Sequence, residues 1–209
     1  MLPIWVTAVV VSGALAVLAS ETGRPALVAL FKPLATFLLL GVVGWPTTDF
    51  ARLVALGIVL SVVGDVALLW PGNRAFIVGL AVFLLAHVAY VAAFWRVAVW
   101  TPHVAVVAAV TAVTTVILLR AIWRGADGMH GPTIAYGAVI SAMVVSAAAT
   151  VGGRLPGAPF AAAGASLFYL SDASLALNRF RRPIPHAAML TLGIYWIGQI
   201  GIALAARGA

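Results

Sequence analysis

The chain has 209 residues, of which 64% are hydrophobic and only 8% are charged, and its mean hydropathy is +1.15. Soluble domains carry roughly one quarter charged residues, so this composition excludes an ordinary soluble domain and predicts an integral membrane protein. The net charge of +7 comes from Lys and Arg scattered singly between apolar runs, a distribution that does not predict nucleic-acid binding.

Apolar segments of about 20 residues, the length that crosses a bilayer as an α-helix, recur along the whole chain. Polar, Pro and Gly clusters separate them, beginning with ETGRP at 21–25. We expect the first segment to be a retained helix and not a signal peptide, because no Lys or Arg precedes it. The predicted fold class is all-α, one polytopic membrane domain with eight transmembrane helices. In chain order the predicted spans are 2–19, 26–44, 50–70, 75–95, 102–122, 132–151, 159–177 and 184–206.

Eight spans place both termini on the same side of the membrane, and the arginines near the span ends indicate which side that is. The termini side carries Arg52, Arg96, Arg154 and Arg207, and the opposite side carries Arg24, Arg74, Arg120, Arg124, Arg179, Arg181 and Arg182. Lys and Arg accumulate in cytoplasmic loops. We therefore expect the termini outside, in a multi-pass protein of the bacterial inner (plasma) membrane.

Three ionisable residues, Lys32, Asp65 and Asp172, lie inside predicted spans. Burying such a group in a membrane helix costs at least about 2.5 to 3.5 kcal/mol, so it normally faces the bundle interior and marks a functional path. At a rise of about 1.5 Å per residue, each lies about 8 to 10 Å from the span end on the predicted cytoplasmic side. This common depth predicts a shared polar cavity open to that side, although mutual pairing or snorkelling would also explain the charges.

Further polar residues lie deeper in the spans. His87 and Tyr90, in FLLAHVAY, are three apart and share a helix face. Tyr136 lies early in the sixth span, and Tyr195 and Gln199 lie four apart midway along the eighth. A buried His or Tyr is as often a core residue as a functional one, and an amide in hydrocarbon also serves as interhelical glue. These five are supporting candidates around the three charges.

A short sequence motif is partly repeated in two spans of the chain. The pattern S-x-x-G-D-x-x-L at 61–68 is partly repeated as S-D-x-x-L at 171–175, four spans later. Two halves of four helices each would explain this echo.

Several motifs in order resemble the YhhN-like family of eight-span membrane proteins, whose characterised animal members are lysoplasmalogenases. They are KPLAT, SVVGDVALL, FLLAHVAY, SDASLALNRF and YWIGQIGI, and they extend from about Lys32 to Gln199. The resemblance implies a functional polar set at the matching positions, namely Lys32, Asp65, His87, Tyr90, Asp172 and Gln199.

The resemblance implies a hydrolase that splits the vinyl-ether bond of a 1-alkenyl lysophospholipid. The products would be a fatty aldehyde and a glycerophospho-base, such as glycerophosphoethanolamine or glycerophosphocholine. Protonation of the outer alkene carbon gives an oxocarbenium ion that water attacks, which requires an acid, a nearby anion and a base. Asp65 and Asp172 are therefore the predicted catalytic pair, in either order, with Lys32 or an arginine near the mouth holding the phosphate. No metal or cofactor is expected, and the expected partners are the lysophospholipid substrate and membrane lipids.

Two other functional interpretations are compatible with the sequence. Intramembrane Asp, His and Lys also form proton relays, so the main alternative is a transporter or proton-coupled carrier, although a cluster near one face instead of the midplane disfavours it. The third reading is a structural or regulatory membrane protein. The sequence contains no Cys, G-x-S-x-G, H-E-x-x-H or P-loop motif, which argues against cysteine, serine, zinc and ATP-dependent chemistry.

Overall fold

The computed structural model describes residues 1–207 and 209, and within them the chain folds into eight α-helices and no strand. Each of these helices is long and apolar enough to cross a membrane. The all-α fold class is thus confirmed, and the chain is an integral multi-pass membrane protein. The helices are α1 Leu2–Glu21, α2 Pro25–Val43, α3 Asp49–Ala67, α4 Asn73–Trp95, α5 Pro102–Ile122, α6 His130–Ala149, α7 Ala158–Phe180 and α8 Ala187–Arg207, with a 3-10 turn at Thr150–Gly152.

The helix ends follow from the polar, Pro and Gly clusters. Helix α2 begins at Pro25, where the fixed φ of proline suits a first turn. Helix α3 begins after Thr48, whose hydroxyl accepts a hydrogen bond from the Ala51 amide at 3.2 Å. It ends at Ala67 and not at residue 70, so Asp65 lies in its last turn and closer to the helix end than the span lengths predict.

Among the described residues, six helices form a closed ring in which each packs against the next, in the order α2, α3, α4, α6, α7 and α8. Helix α1 packs outside the ring against α2 and α8, and α5 packs outside it against α6 and α7. In the ring, α2, α3 and α4 are therefore followed by α6, α7 and α8 in the same order, whereas the outer helices α1 and α5 differ in their second neighbour. This arrangement gives α3 and α7 equivalent places on opposite sides of the ring.

Helices α7 and α8 approach each other through glycines. A Cβ atom added at Gly164 would lie 2.5 Å from the Gly198 carbonyl oxygen, and one added at Gly198 would lie 2.8 Å from the Gly164 carbonyl oxygen. Small residues allow membrane helices this close approach, since lipid supplies no hydrophobic force between them. The tight contact holds Asp172 on α7 and Tyr195 on α8 against the same cavity.

Candidate active site inside the helix ring

Asp65 is a fully partnered carboxylate. Its side chain is 2% exposed, and its Oδ1 lies 3.3 Å from Lys32 Nζ. Its Oδ2 accepts hydrogen bonds from Thr36 Oγ1 at 2.5 Å and from the Tyr195 hydroxyl at 3.2 Å. A buried charge is tolerated when it is both paired and hydrogen-bonded. This environment therefore suits an anionic Asp65 beside a cationic Lys32.

Asp172 lies in a different environment. Its carboxylate accepts a hydrogen bond from the Tyr136 hydroxyl, and His87 Nε2 lies 3.7 Å from its Oδ2. No Lys or Arg of the described chain comes within 4.0 Å of it, and its side chain is 14% exposed. Among the residues that the structure describes, neither ring nitrogen of His87 has a hydrogen-bond partner. Asp172 therefore has a phenol and an imidazole near it where Asp65 has an ammonium.

The two carboxylates occupy equivalent places in the two halves of the chain. Each is contacted by side chains of the preceding ring helix and by one side chain from the fourth helix of the opposite half. For Asp65 the preceding helix supplies Lys32 and Thr36 and the opposite half supplies Tyr195. For Asp172 the preceding helix supplies Tyr136 and the opposite half supplies His87. The halves thus present the same arrangement with different chemistry, and the cation is on one side only.

A second layer of hydrogen bonds lies deeper in the ring around Gln199. Its Nε2 donates to Ser61 Oγ at 3.1 Å and to the Tyr195 hydroxyl at 3.3 Å, and its Oε1 accepts from the Tyr90 hydroxyl at 2.7 Å. Gln199 and Tyr90 are both fully buried. Tyr90 is therefore linked through Gln199 and Tyr195 to Asp65, whereas His87, one turn away on α4, lies beside Asp172.

A polar cavity lies between the two carboxylates. Its volume is about 70 Å³, which is room for several water molecules. The residues that carry its chemistry are Lys32, Asp65, Tyr136, Ser171, Asp172, Thr191 and Tyr195. The structure thus brings the three charged residues singled out by the sequence to one space, as their common depth predicts.

Two further spaces adjoin the polar cavity. An apolar cavity of about 60 Å³ lies between α4, α5, α6 and α7, and both Tyr136 and Asp172 line it as well as the polar cavity. On the other side, Lys32 also lines an open entrance groove of about 780 Å³ that contains Arg24. The three spaces follow one another from the exposed groove through the carboxylates to the apolar cavity.

Sequence reasoning missed several residues of this site. Thr36 contacts Asp65, and Trp196 Nε1 donates to Thr36 Oγ1 at 3.1 Å. Ser61 receives the Gln199 amide, while Ser171 and Thr191 line the polar cavity. Helical spacing could have identified two of them, Thr36 and Ser61. Thr36 is four residues after Lys32 and Ser61 is four residues before Asp65, so each shares a helix face with a charged residue.

Comparisons with known proteins agree on one family. Residues 27–206 match the model of the YhhN family. Human lysoplasmalogenase TMEM86B is 32% identical over 161 residues, which cover 77% of this chain and 66% of that protein. Human lysoplasmalogenase TMEM86A is 32% identical over 162 residues, covering 75% and 65%. The chain therefore spans just under two thirds of the length of these curated relatives, and no solved structure matches it.

Proposed function

Because the chain belongs to the YhhN family, we propose that it is a lysoplasmalogenase-type hydrolase. The substrate is a 1-alkenyl lysophospholipid, and cleavage of its vinyl-ether bond yields a fatty aldehyde and a glycerophospho-base such as glycerophosphoethanolamine or glycerophosphocholine. The similarity to two human proteins named lysoplasmalogenase supports the reaction class.

The main support for this proposal is the order of the entrance groove, the polar cavity and the apolar cavity. A lysolipid has a charged headgroup, a polar glycerol and one apolar chain, and its vinyl ether joins the last two. In the same order, the protein has an open groove with Arg24, a polar cavity with both carboxylates, and an apolar cavity. Asp172 and Tyr136 line the boundary between polar and apolar space, which is where the scissile bond of a lipid bound in this direction lies.

The unequal surroundings of the two carboxylates support a different proposed role for each. Asp172, without a cation beside it, is the protonated acid and donates its proton to the outer alkene carbon. The electron pair of the alkene forms the new C–H bond and leaves an oxocarbenium ion at the carbon attached to the ether oxygen. Asp65, paired with Lys32 at 3.3 Å, is the anion that stabilises this cation and accepts a proton from the attacking water.

The second half of the reaction restores both groups. The hemiacetal breaks at the bond between its carbon and the glycerol oxygen, and Asp65 passes the proton that it took from water to that oxygen. The hemiacetal hydroxyl gives its proton to Asp172 as the aldehyde forms. One water is consumed, and the bond formation and cleavage follow acetal-type acid and base catalysis.

Aldehyde release tests the proposed activity directly. The purified protein in lipid vesicles is expected to convert a 1-alkenyl lysophosphatidylethanolamine into fatty aldehyde and glycerophosphoethanolamine in equal amounts, measured by mass spectrometry. The matched 1-alkyl ether is expected to remain intact, because it has no alkene carbon to protonate. Absence of aldehyde from the alkenyl lipid, or transmembrane solute flux without bond cleavage, would contradict the proposal.

The apolar cavity is proposed to receive the lipid chain. At about 60 Å³ it is far smaller than typical ligand pockets of about 300 to 1,000 Å³, so it must widen on binding. Ala176 lines this cavity, and Ala176→Phe is expected to lower kcat/KM for a sixteen-carbon alkenyl chain about tenfold relative to a short-chain substrate. Added carbons in a packed site cost about 1 to 3 kcal/mol, and tenfold corresponds to about 1.4 kcal/mol.

The control for this prediction is Ala163→Phe, since Ala163 is exposed on the same helix. That variant is expected to keep the wild-type ratio between long and short chains. Equal ratios in both variants would mean that the chain lies elsewhere.

We also propose that the protein lies in a bacterial inner membrane with both termini outside, as the distribution of arginines favours. The chain has no native cysteine, so single introduced cysteines report each side cleanly. Asp127→Cys, between α5 and α6, is expected to resist an impermeant maleimide in intact spheroplasts, whereas Thr47→Cys, between α2 and α3, is expected to react. The reverse labelling pattern would invert the topology.

A further inference from the structure

Helices α7 and α8 each contribute one hydroxyl-bearing residue to the wall of the polar cavity. Ser171 directly precedes Asp172 on α7, and Thr191 lies one turn before Tyr195 on α8. Both line the cavity that the two carboxylates share. Ser174, which contacts both residues from α7, is buried and lies behind them. These hydroxyls have no part in the acid and base steps described above.

The hydrogen bonds of this group determine which way each hydroxyl proton points. Each hydroxyl has one proton to donate. Ser174 Oγ donates its proton to the Ser171 carbonyl at 2.7 Å, so in its 2.8 Å contact with Thr191 Oγ1 it acts as the acceptor and Thr191 as the donor. Ser171 Oγ donates to the Thr191 carbonyl at 2.8 Å. All three protons are therefore used within the protein.

With those protons used, the side-chain oxygens of Ser171 and Thr191, two residues of the cavity wall, retain only lone pairs. A group of this kind accepts a hydrogen bond and cannot donate one. It therefore favours a ligand that carries O–H or N–H at this place. An ester or ether oxygen there would bring lone pairs against lone pairs and would leave polar groups unpaired, which is costly inside a protein.

We propose that Ser171 and Thr191 bind the free hydroxyl at the glycerol 2-position of the substrate and thereby select lysolipids over lipids substituted there. This inference rests on the proposed function and adds the residues that set its specificity. Only two carbons separate the 2-hydroxyl from the ether oxygen, so a vinyl ether beside Asp172 carries that hydroxyl to the wall beside Ser171. Sites built to hydrogen-bond a substrate hydroxyl reject analogues that lack it.

The test uses phosphocholine lipids, because choline has no N–H group. In these lipids the 2-hydroxyl is the hydrogen-bond donor of the polar part. For the wild-type protein, kcat/KM for a 1-alkenyl-2-hydroxy lipid is expected to exceed that for its 2-methoxy analogue at least about tenfold. Thr191→Val and Ser171→Ala are each expected to reduce this preference to about threefold or less. Thr114→Val, an exposed position on α5, is expected to keep the wild-type preference.

Ser174→Ala gives a result that a merely structural role would not produce. Removing the Ser174 hydroxyl takes away the acceptor of the Thr191 proton, which can then be donated into the cavity. The 2-methoxy analogue accepts such a bond, so its kcat/KM is expected to rise severalfold relative to the 2-hydroxy lipid. Unchanged preference in the Thr191, Ser171 and Ser174 variants would overturn the inference.

A binding measurement separates failure of this inference from failure of the proposed function. Wild-type protein is titrated with a 1-alkyl-2-hydroxy phosphocholine lipid, which has no vinyl ether to cleave, and with its 2-methoxy analogue. At least about tenfold tighter binding of the hydroxy lipid is expected even if no aldehyde is ever released. Equal affinities would overturn the inference, and they would do so whether or not the protein hydrolyses alkenyl lipids.

Discussion

Replacing Asp172 by Asn is expected to lower the turnover of a 1-alkenyl lysophospholipid about 10³-fold, within the 10² to 10⁴ range typical of a lost general acid. Protonation of an alkene carbon needs a true acid, and the amide has no proton acidic enough to transfer. The variant keeps the size of the side chain and an oxygen that can accept the Tyr136 hydroxyl. Fold and cavity shape are therefore retained while the proton is lost, and single-turnover aldehyde release measures the effect.

The matched control for this variant is Asp127→Asn, which makes the same chemical change at an exposed position between α5 and α6. It is expected to retain wild-type turnover. Asp65→Asn is expected to lose about 10²-fold, since it removes the base and the stabilising anion but leaves the acid in place. Turnover of the Asp172 variant within tenfold of wild type would refute the assignment of the acid.

Replacing Lys32 by Met is expected to lower the free energy of unfolding by about 3 to 5 kcal/mol, because it leaves a buried carboxylate without its cation. Asp65 is only 2% exposed, and Lys32 Nζ lies 3.3 Å from its Oδ1. The hydrogen bonds from Thr36 and Tyr195 remain in the variant but supply no counter-charge. Reversible unfolding in mixed detergent micelles measures the change, with Arg74→Met at an exposed position of α4 as the control.

The double variant Lys32→Met with Asp65→Asn is expected to recover most of that stability, since removing both charges removes the unpaired one. Its activity is expected to stay as low as that of the Asp65 variant. If the double variant were as unstable as Lys32→Met alone, the pair would not account for the loss. Near-normal turnover by the double variant would mean that the ion pair serves the fold and not the reaction.

The equivalent places of the two carboxylates bring two carboxyl groups in contrasting surroundings to one cavity, as the proposed division into acid and base requires. The two halves of the chain surround the cavity with the same order of helices. The preceding helix presents Lys32 and Thr36 to Asp65 but only the Tyr136 hydroxyl to Asp172, so no cation pairs with Asp172. Two carboxyl groups in contrasting surroundings are the usual means by which enzymes divide acid and base roles.

Composition and hydropathy were sufficient to predict the all-α membrane fold and its eight helices, because bilayer thickness sets helix length and each span is a local property of the chain. The same local reasoning singled out Lys32, Asp65 and Asp172, since an ionisable group in an apolar span is costly wherever the rest of the protein lies. Their family motifs then indicated the kind of chemistry to expect.

The tertiary structure alone decided which of these groups meet. That Lys32 pairs with Asp65 and not with Asp172 depends on the rotation of α2, α3 and α7 about their axes, which hydropathy does not specify. The contacts of Thr36 with Asp65, and of Ser171 with Thr191, likewise join residues far apart in sequence. The apolar cavity needs four helices to close around it. The ion pair, the direction of the hydroxyl hydrogen bonds and the shape of the cavities all arise from packing between helices. The sequence of a single span therefore does not determine them.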